Sequence, residues 1–508
     1  MLRVLVPVAA LLAAYPLLLC AVAALYVLKE RRAFARHHRM AASDRPGGEQ
    51  VVTVGIFHPY ANGGGGGERV LYCALIALVK YFRQLGKEEN ERFRLQIALY
   101  AGDDGLSAQE LVRRAAEQFN LPDLIKFKVE ECITLVPLLK RDILDPGLYP
   151  RFTLLWQSIA HVRLALEAFS ASRTLGLYPK FFLDTTGCPF TYLVASVRFG
   201  CTVMAYVHYP MISTDMIAKV QRRDAGFNND SAITASSTRS TVKYIYYRLF
   251  AAAYSAVGRY CTDVAMVNST WTHNHIQQLW CKKPAIVYPP CGTMEEFMSF
   301  DIETREPLAL SISQFRPEKN QLLQLQALKV LLDNHPEEMT TKHRSFKLIM
   351  LGSCRNADDH ERVETLKEQA EELGVRSRVE FVVNASFEAM KKYLRRSSIG
   401  LHTMYNEHFG ISNVEMMAAG VVVIANNSGG PKLDIVKPEA GYLASTAAEY
   451  ADKIWQVISA DPVRVRAIRD RARELSLRFS DGEFESEFLK SMEPGLHPKS
   501  SDAKHKQN

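Results

Sequence analysis

From residue 51 onward, short apolar runs rich in β-branched residues alternate with longer stretches of helical periodicity, which predicts parallel strands joined by crossover helices. In the first half the strand-like runs are residues 51–57, 181–184, 201–207, 264–268 and 285–288. In the second they are 308–315, 346–351, 379–383, 399–404 and 421–425. Two Rossmann-like α/β units are expected, with Tyr288-Pro-Pro-Cys-Gly at the joint. The division reads as residues 1–40 ahead of the first domain, 41–292 and 293–492 as the two domains, and a polar, disordered tail over 493–508. Two such sheets facing each other bring the C-terminal ends of their strands, where α/β proteins bind ligands, to one cleft.

Two apolar stretches stand outside this alternation. Residues 4–28 contain no charged side chain and as a helix would extend about 37 Å, enough to cross a hydrocarbon core of about 30 Å. A cleaved signal peptide is the alternative, but its apolar core is usually about 7 to 15 residues and ends at a small-residue site. Here the run ends in Lys-Glu-Arg-Arg, so a transmembrane anchor is the expectation. Lys29, Arg31, Arg32, Arg36 and Arg39 follow it, and the positive-inside rule then sets the body of the protein in the cytosol. Residues 244–258, YIYYRLFAAAYSAVG, are too short and too charged at their flanks to span. A helix in the membrane interface and a buried core helix both fit them.

At 508 residues the chain exceeds what one core usually holds. Its formal charge of +7 is modest for that length, and no nucleic-acid partner is expected. Nine cysteines, odd in number and without C-x-x-C, agree with a reducing compartment. The sequons at Asn229, Asn268, Asn384 and Asn426 would stay unmodified there.

The chemistry-bearing residues follow strand-like runs. NEHFGISNVEMMAAG, 406–420, sets Glu407 in a loop after a strand and Glu415 on the helix behind it, eight positions apart. Glu407 and the backbone amides of His408, Phe409, Gly410 and Ile411 would then face a ligand. Taken alone, such a pair of acids is equally a feature of a solvated helix. After residues 51–57 comes HPYANGGGGGERVL, in which Gly65 and Gly66 and their neighbours allow backbone N–H groups close to a phosphate or sugar. The run lacks the Lys-Ser/Thr of a P-loop and is not a clean G-x-G-x-x-G. His208 follows another strand, where it can donate to a hydroxyl or serve only as a structural histidine. Arg316 and Lys319 stand where a strand gives way to a helix near Pro317, a site suited to a diphosphate. No D-x-D occurs, and neither metal nor cofactor is expected.

FHPYANGGGGGERVL, VHYPMISTDM, GFNN, QFRPEKN, LHTMYNEHFGISNVEMMAAG and NNSGGPKLDIV together resemble the GDP-mannose-dependent α-1,2-mannosyltransferases that extend the dolichyl-diphosphate-linked oligosaccharide. The resemblance implies a retaining, metal-independent enzyme of the GT-B type, with an acceptor-side N-terminal domain and a GDP-mannose-binding C-terminal domain. It implies addition of the fourth and fifth mannoses on the cytosolic face of the endoplasmic reticulum, with membrane lipid around the anchor and room for other mannosyltransferases of the pathway as partners. By the same resemblance Glu407 contacts the donor mannose, Glu415 the ribose of GDP, Arg316 and Lys319 the diphosphate, and His208 the mannose from the N-terminal side. The same fold with another sugar nucleotide or lipid acceptor, or a glycolipid-binding subunit without catalysis, are the competing readings.

Overall fold

The computed structural model describes residues 25–36, 50–88, 93–103, 105–222, 237–292 and 294–496. The expected anchor, apart from 25–28, and the tail beyond 496 lie outside them. Two parallel sheets organise the rest. The first holds β1 (Gln50–Phe57), β2 (Phe93–Ala101), β3 (Ile133–Pro137), β4 (Phe181–Asp184), β5 (Thr202–Val207), β6 (Val264–Val267) and β7 (Ala285–Ile286), in the order β3-β2-β1-β4-β5-β6-β7. The second holds β8 (Glu306–Ile312), β9 (Lys347–Gly352), β10 (Val379–Val383), β11 (Ser397–His402), β12 (Val422–Asn426) and β13 (Gly441–Ala444), in the order β10-β9-β8-β11-β12-β13. Each expected strand is present, and β2, β3 and β13 are additional. β4 and β12 are buried at every residue because helices cover both faces of each sheet, which is why they read as unbroken apolar runs.

In each sheet the strand order reverses once, between β1 and β4 in the first and between β8 and β11 in the second. The backbones diverge at such a reversal and leave a crevice beyond the strand ends. Into the first crevice run His58 to Gly67, after β1, and Thr185 to Phe190, after β4. Gln314 to Lys319, after β8, and Thr403 to Gly410, after β11, run into the second.

The C-terminal boundary differs from the expected one. Helix Asp481–Leu496 crosses back to the first domain and lays Phe484, Phe488, Met492 and Leu496 into the core beneath β1, together with helix Gly66–Glu88. Lys80 of that helix pairs with Glu485 at 2.9 Å. Residues 493–496 are therefore the buried end of a helix rather than the start of a polar tail. Their polar appearance came from Glu493 and Pro494, whereas Gly495 and Leu496 are buried.

Residues 244–258 fall within helix Ser237–Cys261. Tyr247, Phe250 and Tyr254 point into the core, while Val242, Ile245 and Leu249 are exposed, so the helix has a core face and an uncovered apolar face. Among the described residues no helix is long and apolar enough to cross a membrane. Residues 25–36, the end of the expected anchor and the first part of the basic flank, form a helix docked on the first domain: Phe34 is buried against Phe199 and Phe169, and Glu30 pairs with Arg173 at 3.3 Å.

Phe488 is 1% exposed, so Phe488→Ala should lower stability by about 3–5 kcal/mol through lost burial and the cavity left behind. Lys490→Ala, on the exposed side of the same helix, should stay within about 0.5 kcal/mol. Thermal unfolding of the full chain distinguishes them, and equal effects would contradict the docking of this helix.

Candidate active site

The pairing at the second reversal is the centre of the site. Glu407 lies beyond the end of β11 and Lys319 beyond the end of β8, and Lys319 Nζ meets Glu407 Oε2 at 2.5 Å. His402, the last residue of β11, has Nε2 3.2 Å from the same oxygen. Burial alone would push the Glu407 carboxyl up, but the His402 hydrogen bond and the Lys319 charge outweigh it and hold it well below the usual carboxylate range. Glu407 is therefore ionised, and an ionised partner requires His402 to carry its proton on Nε2.

The loop that presents Glu407 is tightly supported. Asn406 adopts a left-handed backbone, its N–H donates to Ser428 Oγ at 2.8 Å, and Gly430 N–H donates to the Glu407 carbonyl at 2.8 Å. Gly429 has φ +62° and lies so close to the Glu407 backbone that a Cβ would fall 2.3 Å from its carbonyl oxygen. NNSGG, 426–430, is thus the backing for the Glu407 loop. Thr403 Oγ1 donates to the carbonyls of Lys319 and Asn320, and so joins the two strand-end loops.

The first domain closes the other side. Glu407 and Lys319, together with His208, Gly66, Gly67 and His408, line a cavity of about 320 Å³. His208 follows β5, and its Nε2 is buried without a partner. Burial lowers its pKa to about 4. His408 is likewise lowered to about 4 by burial, beside the Tyr209 ring at 4.3 Å. A Cβ on Gly66 would fall 2.6 Å from Ile411 Cδ1, so glycine there lets the first domain's loop reach the helix that carries Glu415. Gly65 N–H is already used, donating to Glu68 at 2.7 Å.

A second cavity, of about 820 Å³, adjoins the first and shares Gly66, Ile411 and Ser412 with it. Glu415 and Arg69 line it, with Ser353 and Asn384 farther along. Burial raises the Glu415 pKa, opposed by the charge of Arg69. Phe409 and Gly410 line the smaller cavity with Ile411. Arg316 lines neither, and its guanidinium pairs with Glu318 at 3.5 Å.

Residues 51–280 match the family described as "ALG11 mannosyltransferase N-terminus", and residues 292–474 match "Glycosyl transferases group 1". A Mus musculus protein named GDP-Man:Man(3)GlcNAc(2)-PP-Dol alpha-1,2-mannosyltransferase is 43% identical, covering 90% of each chain. The chain belongs to this alpha-1,2-mannosyltransferase family. The Homo sapiens protein of the same name is 42% identical over 90% of each chain, and that of Dictyostelium discoideum 39% identical over 87% of this chain and 85% of its own. Among solved structures, a glycosyltransferase from Rickettsia africae superposes with a TM-score of 0.56 at 15% identity, covering 89% of this chain and 99% of its own. Anabaena Alr3699/HepE in complex with UDP reaches 0.56 at 13%, covering 87% and 99%. At those identities they establish the fold alone, the two-domain GT-B arrangement. This member of the mannosyltransferase family is a glycosyltransferase.

Two residues of this mannosyltransferase site carried no expected role. His402 reads as an ordinary strand residue until its contact with Glu407 is seen. Arg69 donates through Nε to the Pro290 carbonyl at 3.1 Å, through Nη1 to the Phe119 carbonyl at 2.6 Å, and through Nη2 to Asp481 at 2.8 Å. Its signal was a cation in the first turn of a helix, against the dipole, which asks for a specific partner.

His208 and His408 are neutral in the folded protein above about pH 5, whereas histidines of the unfolded chain take up protons below about 6.5. The unfolded state then binds more protons as the pH falls from about 6.5 toward 4. Stability from these groups is complete above that window and is lost through it, by roughly 1–3 kcal/mol for each histidine. His208→Asn should flatten the fall of Tm with pH, and an unchanged slope would contradict neutral burial of His208.

Proposed function

We propose that this chain transfers mannose from GDP-mannose, in α-1,2 linkage, to a dolichyl-diphosphate-linked oligosaccharide, supplying the fourth and fifth mannoses of that glycan. The observation that carries the reading is the ionised Glu407, paired with Lys319 and facing His208 across one cavity, while Glu415 lies in the adjoining one. That partition suits a donor with two chemically different ends. The sugar sits against Glu407 and His208, where a carboxylate held ionised supports positive charge as the glycosidic bond breaks. Neutral His208 donates or accepts a hydrogen bond at a mannose hydroxyl. Lys319, between the sugar and the nucleotide, opposes the charge gathering on the departing diphosphate. Arg316 joins it there after releasing Glu318. Glu415 accepts from the ribose hydroxyls, which would favour its charged form against the burial that now raises its pKa.

Glu407→Gln should depress kcat strongly while leaving GDP affinity close to unchanged, and Glu415→Gln should weaken GDP binding and raise the donor KM. Lys319→Ala should cost about 3 kcal/mol in the transition state, roughly a hundredfold in kcat/KM. Titration with GDP alongside transfer of radiolabelled mannose to defined lipid-linked acceptors measures all three. Near-normal turnover by Lys319→Ala, or loss of nucleotide affinity alone in both glutamate variants, would refute the assignment. Transfer from UDP-glucose in place of GDP-mannose would favour the competing sugar nucleotide.

The same proposal places the body on the cytosolic face of the endoplasmic reticulum, held by residues 4–28. Its support is the basic flank 29–39 and the exposed Leu25 and Leu28 at the start of the docked helix. Protease added outside sealed microsomes should digest the body, and protection of the body would reverse the topology.

A further inference from the structure

The uncovered face of helix Ser237–Cys261 does not end at that helix. Together with helix Thr153–Thr174 it bounds an open groove of about 580 Å³, lined by Leu155, Ile159, Val162, Phe190, Leu249 and Phe250 among others. Leu249 is 67% exposed and Leu155 44% exposed, an unusual outlay of large aliphatic surface to water on a folded domain. Of the polar groups in the lining, Tyr246 Oη accepts from the Leu155 N–H at 3.0 Å and Ser158 Oγ donates to the Leu154 carbonyl, and the Arg163 side chain is exposed. The groove thus offers hydrocarbon contact and few hydrogen bonds.

Phe190 links the groove to two other features of the first domain. Phe190 lies in the groove lining, its ring tilted against that of Phe250 with centroids 5.8 Å apart. It belongs to the loop after β4, whose Thr185 hydrogen-bonds His58 at 2.6 Å in the first crevice, and whose Gly187 carbonyl accepts from Tyr254. Phe190 thus joins the groove to the loop at the substrate edge of the first sheet. From Phe190 the chain continues through exposed Leu193 and Val197 to Arg198, which donates to Tyr26 at 2.7 Å beside exposed Leu25 and Leu28. Exposed Leu193 and Val197 thus lie, along the chain, between the groove's Phe190 and the residue that contacts the end of the expected anchor.

The rim adds charge. Arg163 in the lining, Arg248 next in sequence to Leu249, and Arg151 just before helix Thr153–Thr174 are exposed, and none of them has an acidic partner among the described residues. An apolar trough edged by unpaired guanidinium groups complements an amphiphile that has a hydrocarbon chain and an anionic head.

We propose that this groove receives the first segment of the acceptor's hydrocarbon chain, so that the lipid diphosphate enters the cleft from the membrane side with its glycan leading. The inference rests on the lipid-linked acceptor of the proposed function. It assigns to the groove the recognition of the lipid, separate from recognition of the sugar. Phe190 then stands where chain gives way to diphosphate, and the arginines of the rim hold the head.

The test uses the full chain and two acceptors with the same glycan, one on a long polyprenyl diphosphate and one on a short, water-soluble alkyl diphosphate. Leu249→Asp places a charge in the trough and Ala253→Trp fills it, and both positions face solvent, so neither should disturb folding. For the long-chain acceptor each variant should raise KM by about tenfold, while the KM for the short-chain acceptor, the KM for GDP-mannose and kcat stay unchanged. Equal losses on both acceptors, or no loss on the long one, would overturn the proposal. So would weaker binding to acceptor-free vesicles with an unchanged long-chain KM, since the groove would then be a contact to the bilayer. Absence of transfer to either acceptor by the unsubstituted chain would instead count against the proposed function itself.

Discussion

An ionised carboxylate withdrawn from water at the end of a buried strand is costly without a compensating partner, and the pairing of Glu407 with Lys319 offsets that cost. The two residues are far apart in sequence and meet because β8 and β11 are neighbours at the point where the second sheet reverses. Much of the surrounding geometry serves this contact. The Thr403 hydroxyl binds the carbonyls beside Lys319, Gln324 Nε2 donates to that same hydroxyl, and Gly429 and Gly430 let a neighbouring loop press against the Glu407 backbone. Removing Lys319 would leave a buried anion with the His402 imidazole as its one remaining side-chain hydrogen-bond partner among the described residues. The pair is thus a structural constraint on the cleft as well as part of its chemistry.

The same cleft is bridged on its flanks. Asp434 of the second domain accepts from the Thr270 N–H at the start of helix Thr270–Trp280 and from Tyr288, while Asn406 donates to Asp215 at 2.8 Å. On the opposite side Arg69 ties the joint at Pro290 to Asp481, and Gly292 leaves the space its guanidinium fills. These bridges are few and polar. They fix how the two crevices face each other without fusing the domains into one core, as suits a site that must admit a nucleotide and release it.

What could be read from the residues and what could not follow a physical division. Strands in the middle of a sheet, such as β4 and β12, are apolar on both faces and declare themselves. β3 ends in proline and β13 begins with glycine, and both lie at sheet edges, where short strands tolerate such residues and lose the apolar signature. β2 alternates Arg94 and Gln96 with buried residues and so resembles a surface stretch. The site residues were legible singly, because each follows a strand. Their partnerships were not, since strand order is a property of the folded sheet: the contact of Lys319 with Glu407 and the separation of Glu415 into a second cavity emerge only with it. The crossing of helix Asp481–Leu496 was hidden for a related reason, as an amphipathic helix does not reveal which core it covers.

That crossing has a consequence for how the polypeptide is made. The first sheet is synthesised early, yet part of its apolar floor is roofed by Phe484, Phe488 and Met492 from the last helix. While the second half is still on the ribosome, that floor has no cover. The nascent first domain must wait, partly open and exposed to chaperones, until the C-terminal end of the message has been read. A premature stop codon just ahead of residue 481 would therefore spare every residue of the catalytic cleft and still leave the first domain without its roof.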